Sequence, residues 1–248
     1  MPQPRDGEFR FAGHLQGVEM AYVPPSLLPA GSLPWPSLQG LQGDLVFERQ
    51  GMKLSNASAR FGEGRQAVQI GSLSANIPHL ARDPQLEVKA ELKGPAQAVL
   101  RTLAQSPVDR LLSGALTSAT ATGNLQGKLR LDIPLLHSHD TRVQGSVSLA
   151  GNDVQLGPQA PLLGKAQGTV QFTDASFSLQ GVQTRLLGGT SRLDGGLRTG
   201  VLPAGESALQ IRAQGQVTAE GLRAARNLAP LDTLGRQAKG QTNYSATL

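Results

Sequence analysis

The chain has 248 residues and no cysteine, with 23 Lys and Arg against 18 Asp and Glu, a formal net charge of +5. Without cysteine there is neither a disulfide framework nor a thiol nucleophile, and the few excess charges are too dispersed to make a phosphate-binding stripe. Aromatics at 4% leave little for bases to stack on, so nucleic acid is not an expected partner; the length suffices for one large β domain or two smaller ones.

In chain order, the first eight residues, M1-P-Q-P-R-D-G-E8, lack the apolar region of a signal peptide. No later stretch approaches the ~20 apolar residues that span a bilayer. F9-R-F-A-G-H-L15 alternates apolar and polar residues and predicts a first strand. The segment from Leu41 to Phe61 alternates again. Leu45 and Phe47 precede a turn at E48-R-Q-G51, and Met52 and Leu54 follow it, the pattern of a hairpin with one apolar face. L86-E-V-K-A-E-L-K-G94 predicts a further strand. A helix is expected near 95–105, with Pro95 at its start, Val99, Leu100 and Leu103 as apolar positions, and a stop imposed by Pro107.

L129-R-L-D-I-P-L135 is the cleanest alternation, with Leu129, Leu131, Ile133 and Leu135 set against Arg130 and Asp132. H137-S-H-D140 brings two His and an Asp close together. No third and fourth ligand is evident and the flanks read as a polar loop, so no metal site is assigned. V143-Q-G-S-V-S-L149 and V154-Q-L156 continue the strands.

From Ala166 the earlier hairpin returns, about 125 residues downstream. Leu45 corresponds to Val170, Phe47 to Phe172, Met52 to Phe177, Leu54 to Leu179 and Phe61 to Leu186. T173-D-A-S176 takes the place of the turn. L187-G-G-T-S-R-L-D-G-G196 lacks the Gly-Lys-Ser/Thr ending of a phosphate loop, and its glycines are expected at turns and bulges. L209-Q-I-R-A-Q-G-Q-V217 repeats the 86–94 strand with a two-residue slip, and a weaker helix is expected near 218–229. N243-Y-S-A-T-L248 reads as a strand in progress, so a piece of a longer protein is expected.

These segments predict a mostly β fold. It is a long antiparallel, strongly curved sheet, a taco-like groove built from two repeats of about 125 residues, each with one short helix. Residues 1–136 would form the first repeat and 137–248 a second, incomplete one. A duplicated β-sandwich satisfies the same alternation. Burying a Leu or Phe contributes ~1.5–3 kcal/mol, so ten left open would forgo ~15–30 kcal/mol against a net stability of ~5–15 kcal/mol. Such a face would be covered by something apolar. No G-x-S-x-G elbow exists and the acidic residues stand singly on polar strand faces, so no catalytic residue is assigned.

The order of G31-S-L-P-W-P-S-L-Q-G-L-Q-G-D-L-V-F47, Ser106-Pro107 after a short helix, L129-R-L-D-I-P-L135, and a second F-x-x-x-x-F-x-L followed by L187-G-G189 resembles the YhdP branch of the AsmA-like proteins. The likeness runs from about Gly7 to the end. The second copy has Pro161-Leu162 near where Trp-Pro would stand and Ala229-Pro230 for Ser-Pro, so no role specific to Trp35 follows.

The resemblance implies an envelope protein of Gram-negative bacteria, held in the inner membrane by an N-terminal helix that this piece would lack, with the present segment in the periplasm. It implies β-groove units that carry phospholipid between inner and outer membrane without enzymatic chemistry and without a cofactor. Acyl chains would lie along Leu45, Phe47, Met52, Leu54, Leu129, Leu131, Ile133, Val170, Phe172, Phe177 and Leu179. The other expected partner is the remainder of the same polypeptide at both ends. The competing expectation is a structural or assembly β-sandwich module of a long periplasmic or surface protein. Leu131→Asp would separate the two, being mild for folding in an open groove and unfolding a closed core.

Overall fold

The computed structural model describes residues 9–21, 37–81, 83–104, 117–137, 140–197, 208–225 and 231–247. The alternating segments form strands β1 (Arg10–Met20), β2 (Leu38–Glu48), β3 (Gly51–Phe61), β4 (Val68–Ile77), β5 (Gln85–Pro95), β6 (Thr120–Ala121) and β7 (Asn124–Pro134). They continue with β8 (Arg142–Gln155), β9 (Leu163–Thr173), β10 (Phe177–Leu186), β11 (Gly188–Leu197), β12 (Leu209–Thr218) and β13 (Gln241–Thr247). All belong to one sheet whose order follows the chain, β1-β2-β3-β4-β5-β7-β8-β9-β10-β11-β12-β13, with the short β6 paired to β8 off this path. β1 and β13 do not pair with each other, so the sheet is open rather than a barrel. A single ladder also sets aside the sandwich, which needs two sheets packed face to face.

The chain divides into two compact units, Met1–Lys93 with Gly127–Gly145, and Gly94–Gln126 with Ser146–Leu248. In the first, β2 and β3 pair Leu45 with Leu54 and Phe47 with Met52. In the second, β9 and β10 pair Val170 with Leu179 and Phe172 with Phe177. Residues that align in sequence are thus direct cross-strand partners in both hairpins. The turns differ. Arg49 takes a φ of 52° in the first, whereas in the second Thr173 Oγ1 accepts hydrogen bonds from the Ala175 and Ser176 amides at 3.2 and 3.0 Å.

The irregularities align as well. Left-handed residues fall at Gly40, Gly43, Asn56 and Gly62, and again at Lys165, Gly168, Gly181 and Leu187, the same offset each time. At Asn56 and Gly181 the ladder slips, and the side-chain phase changes with it. In β3 the buried residues run Leu54, then Ala57, Ala59 and Phe61; in β10 they run Val182, Thr184 and Leu186. A β-bulge at each site therefore keeps the apolar side chains on one face where strict alternation would have turned them to water.

Helix α1 (Ala96–Ala104) follows β5 and buries Ala96, Ala98 and Val99. Its first amide, Ala96 N, donates to Gly123 O at 2.9 Å, and Gln97 Oε1 accepts from Ala121 N at 2.9 Å. The second expected helix is shorter than the 218–229 reading. α2 spans Ala219–Ala224, capped by Thr218, whose side chain accepts from Gly221 N, and 226–230 lies outside the described residues. A further helix that the sequence did not announce, α3 (Leu231–Gln237), packs beside it, with Arg223 Nη1 donating to Gly235 O at 3.3 Å. Trp35, Ser106, Pro107, His139, Ala229 and Pro230 also lie outside the described residues. No helix among the described residues is long and apolar enough to cross a membrane.

Candidate functional site

The feature that both units present is an apolar sheet face, built of rows that run across the strands. In the first unit one row joins Phe11, Phe47, Met52 and Ile77, each the register partner of the next. A second joins Gly13, Leu45, Leu54, Ala75 and Val88. The Phe11 and Phe47 rings meet at 6.4 Å between centroids with a 49° tilt. Leu45, Phe47 and Met52 are half-buried and Leu54 is buried. On β7, Leu129 is half-buried, while Leu131 and Ile133 are only 7% and 3% exposed. Leu131→Asp therefore buries a carboxylate even though the sheet is open, and it cannot serve as the mild substitution expected from sequence.

In the second unit one row joins Phe172, Phe177, Leu197 and Leu209, and the next joins Val170, Leu179, Gly195 and Ile211. Every side chain in these two rows apart from the glycine is half-buried. Farther from the β9–β10 turn the same face is closed. Val182, Leu186 and Leu193 form a buried cluster against Leu163, Leu179, Leu187, Ala213 and Tyr244.

The structure thus brings together Leu45, Phe47, Met52 and Leu54 in one unit and Val170, Phe172, Phe177 and Leu179 in the other. Sequence reading missed Leu197, Leu209 and Ile211, although Leu209 and Ile211 carry the two-residue spacing of a strand face. It also missed three polar side chains buried among the apolar ones: Asn152, Thr184 and Ser191. Thr184 and Ser191 could have been found as polar letters standing in phase with Val182, Leu186 and Leu193. Asn152 donates through Nδ2 to Thr122 O at 2.7 Å and Asn124 O at 2.9 Å, and its Oδ1 accepts from Ala150 N at 2.9 Å, tying β8 to the turn before β7.

The opposite face is charged and wet. Asp44 accepts from Asn56 Nδ2 and lies 2.9 Å from His14 Nδ1, and these hydrogen bonds, the Asn56 amide first, hold its carboxyl below the ordinary carboxylate range. Asp194 receives Arg192 Nε at 2.8 Å and the Gly181 amide at 2.7 Å, which lower its pKa in that order of weight. Arg130 pairs with Asp132 at 3.2 Å, Lys128 with Glu91 at 3.9 Å and Arg10 with Glu48 at 3.9 Å. Among the described residues no group of three or more His, Asp or Glu is placed to hold a metal ion. These are exposed pairs on a solvated sheet face, worth little individually to stability.

A family model described as YhdP protein matches residues 2–248. Among curated proteins, the intermembrane phospholipid transporter YhdP of Escherichia coli K12 is 25% identical over 172 residues, which is 69% of this chain and 12% of that protein. The chain thus spans a small part of the relative's length. No solved structure matches. With the family match running over nearly every residue, and one open sheet in place of the alternative sandwich, the chain belongs to the YhdP protein family.

Proposed function

We propose that the chain is a non-enzymatic, lipid-conducting segment of a longer periplasmic, inner-membrane-anchored protein, whose apolar sheet face carries phospholipid acyl chains between inner and outer membrane. In this reading the two hairpin-bearing halves are successive repeats of one groove-forming unit, continued by the rest of the polypeptide at either end. The observation that carries it is the pair of half-buried apolar rows in the second unit, from Phe172 to Leu209 and from Val170 to Ile211. Family membership supports it, since a relative is a phospholipid transporter.

The mechanism would be physical. Attraction between hydrocarbon and an apolar face is non-directional, so an acyl chain can move by one strand, ~4.8 Å, and exchange one set of contacts for an equivalent one. A pocket with fixed polar groups would hold its ligand in place instead. The headgroup would stay in water.

Lipid retained by the protein after expression in a bacterial envelope and gentle extraction tests this by mass spectrometry. Wild type should hold phospholipid at about stoichiometric levels, and a folded Phe47→Asp/Phe172→Asp variant should lose it. A folded, lipid-free wild type would overturn the reading in favour of an assembly module.

A further inference from the structure

The apolar face of the second unit is not uniform. On the side nearest the β9–β10 turn, Val170, Phe172, Phe177, Leu179, Leu209 and Ile211 are all half-buried. The register then slips between Leu179 and Val182, at the left-handed Gly181, opposite Gly168 on β9. Beyond the slip the face is sealed, with Val182 and Leu193 only 2% and 5% exposed. The bulge is fixed from the next strand, where Asp194 Oδ1 accepts the Gly181 amide at 2.7 Å.

The sealed part also holds two hydroxyls. Thr184 and Ser191 are register partners, 3% and 2% exposed. Thr184 Oγ1 donates to Gly164 O at 3.0 Å, and Ser191 Oγ shares a hydrogen bond with Tyr244 Oη at 2.8 Å. Both hydroxyls find their partners inside the protein, and displacing Tyr244 to admit a hydrocarbon chain would leave the buried Ser191 hydroxyl without one, since methylenes offer none. The half-buried part carries no such group in its two rows.

We infer that the bulge line at Gly168 and Gly181 is a lateral boundary of the lipid path. Acyl chains lie across β9 to β12 on the turn side of it, and the other side is a closed floor that lipid does not enter. This rests on the lipid-conducting reading above and deepens it by stating where the ligand lies. Two rows two residues apart on a strand span ~7 Å, so the path in this unit is about one or two hydrocarbon chains wide.

The test uses the full-length protein and phosphatidylethanolamine–phosphatidylglycerol vesicles containing phosphatidylethanolamine with a diazirine in one acyl chain. After irradiation and digestion, adducts should concentrate on 170–172, 177–179 and 209–211, at least about tenfold above those on 182–186 and 191–193. A folded Phe172→Asp/Phe177→Asp variant, changed only on the open side, should lose them. Comparable labelling on both sides of Gly181, or labelling retained by the variant, would overturn the boundary and leave the lipid reading standing. No adducts anywhere in the chain would overturn both.

Discussion

At the scale of single residues, the sealed part of the second unit depends on polar atoms as much as on methyls. Tyr244 on β13 reaches past β12 to Ser191 on β11, both being register neighbours of Gly215. Tyr244→Phe removes that partner from a buried hydroxyl and should cost ~1–3 kcal/mol by urea denaturation. Adding Ser191→Ala removes the orphan and should return most of the loss, a coupling that a purely apolar contact would not show. Asp194 gives a pH signature. Its pKa is lowered from an ordinary 3.8 by the Arg192 side chain and then the Gly181 amide, so its stabilisation is full above the unfolded value and fades as pH falls through the lower folded one. Asp194→Ala should therefore melt below wild type at about pH 6, and the gap should narrow as the pH falls through the lowered folded value. These polar roles were hard to see in sequence because Thr and Ser are ordinary strand residues; only their phase relative to Val182 and Leu193 sets them apart.

At the scale of elements, the hairpins were the most legible part of the chain. Alternation fixes which side chains share a face, and two copies agreeing at Leu45, Phe47, Met52 and Leu54 define the register from sequence alone. The bulges were only partly legible, since L54-S-N-A-S-A-R-F61 shows that the phase breaks but not how the backbone absorbs the extra residue. It does so at Asn56, with a φ of 51°, and at Gly181, with a φ of 59°. Gly43 lies across from the first of these. A methyl there would come within 2.6 Å of the Ala57 Cβ and 2.8 Å of its Cα. Gly43→Ala should destabilise by ~1–3 kcal/mol, and Ala57→Gly in the same chain should recover only part, because the new methyl still presses on the backbone of residue 57. α3 escaped prediction for a different reason. L231-D-T-L-G-R-Q237 is too short and too polar to declare itself a helix, and it holds its form beside α2 through contacts such as Arg223 to the Gly235 carbonyl.

At the scale of the whole molecule, periodicity identified an apolar face without revealing how much of it the protein covers for itself. Leu131 and Phe172 look alike in sequence, each alternating with polar neighbours, yet one is buried and the other half-buried. Leu131→Asp should lower stability by ~3 kcal/mol or more, in the range of a buried unpaired charge, while Phe172→Asp should cost less and act chiefly on lipid retention. Equal destabilisation by the two would contradict the difference in cover. The open sheet itself was one of two architectures that alternation allowed, and only the strand order decided between them. Alternation is a local property. Which strand sits next to which is not.

That strand order carries a consequence for how the protein is made. Along the main path every strand lies beside the one that precedes it, with only the short β6 set aside. A strand leaving the ribosome or a translocation channel therefore finds its partner already present, and no early segment must wait for a distant one. Loop-closure entropy is met in small instalments, which favours sequential hairpin growth over a late search among non-local pairings.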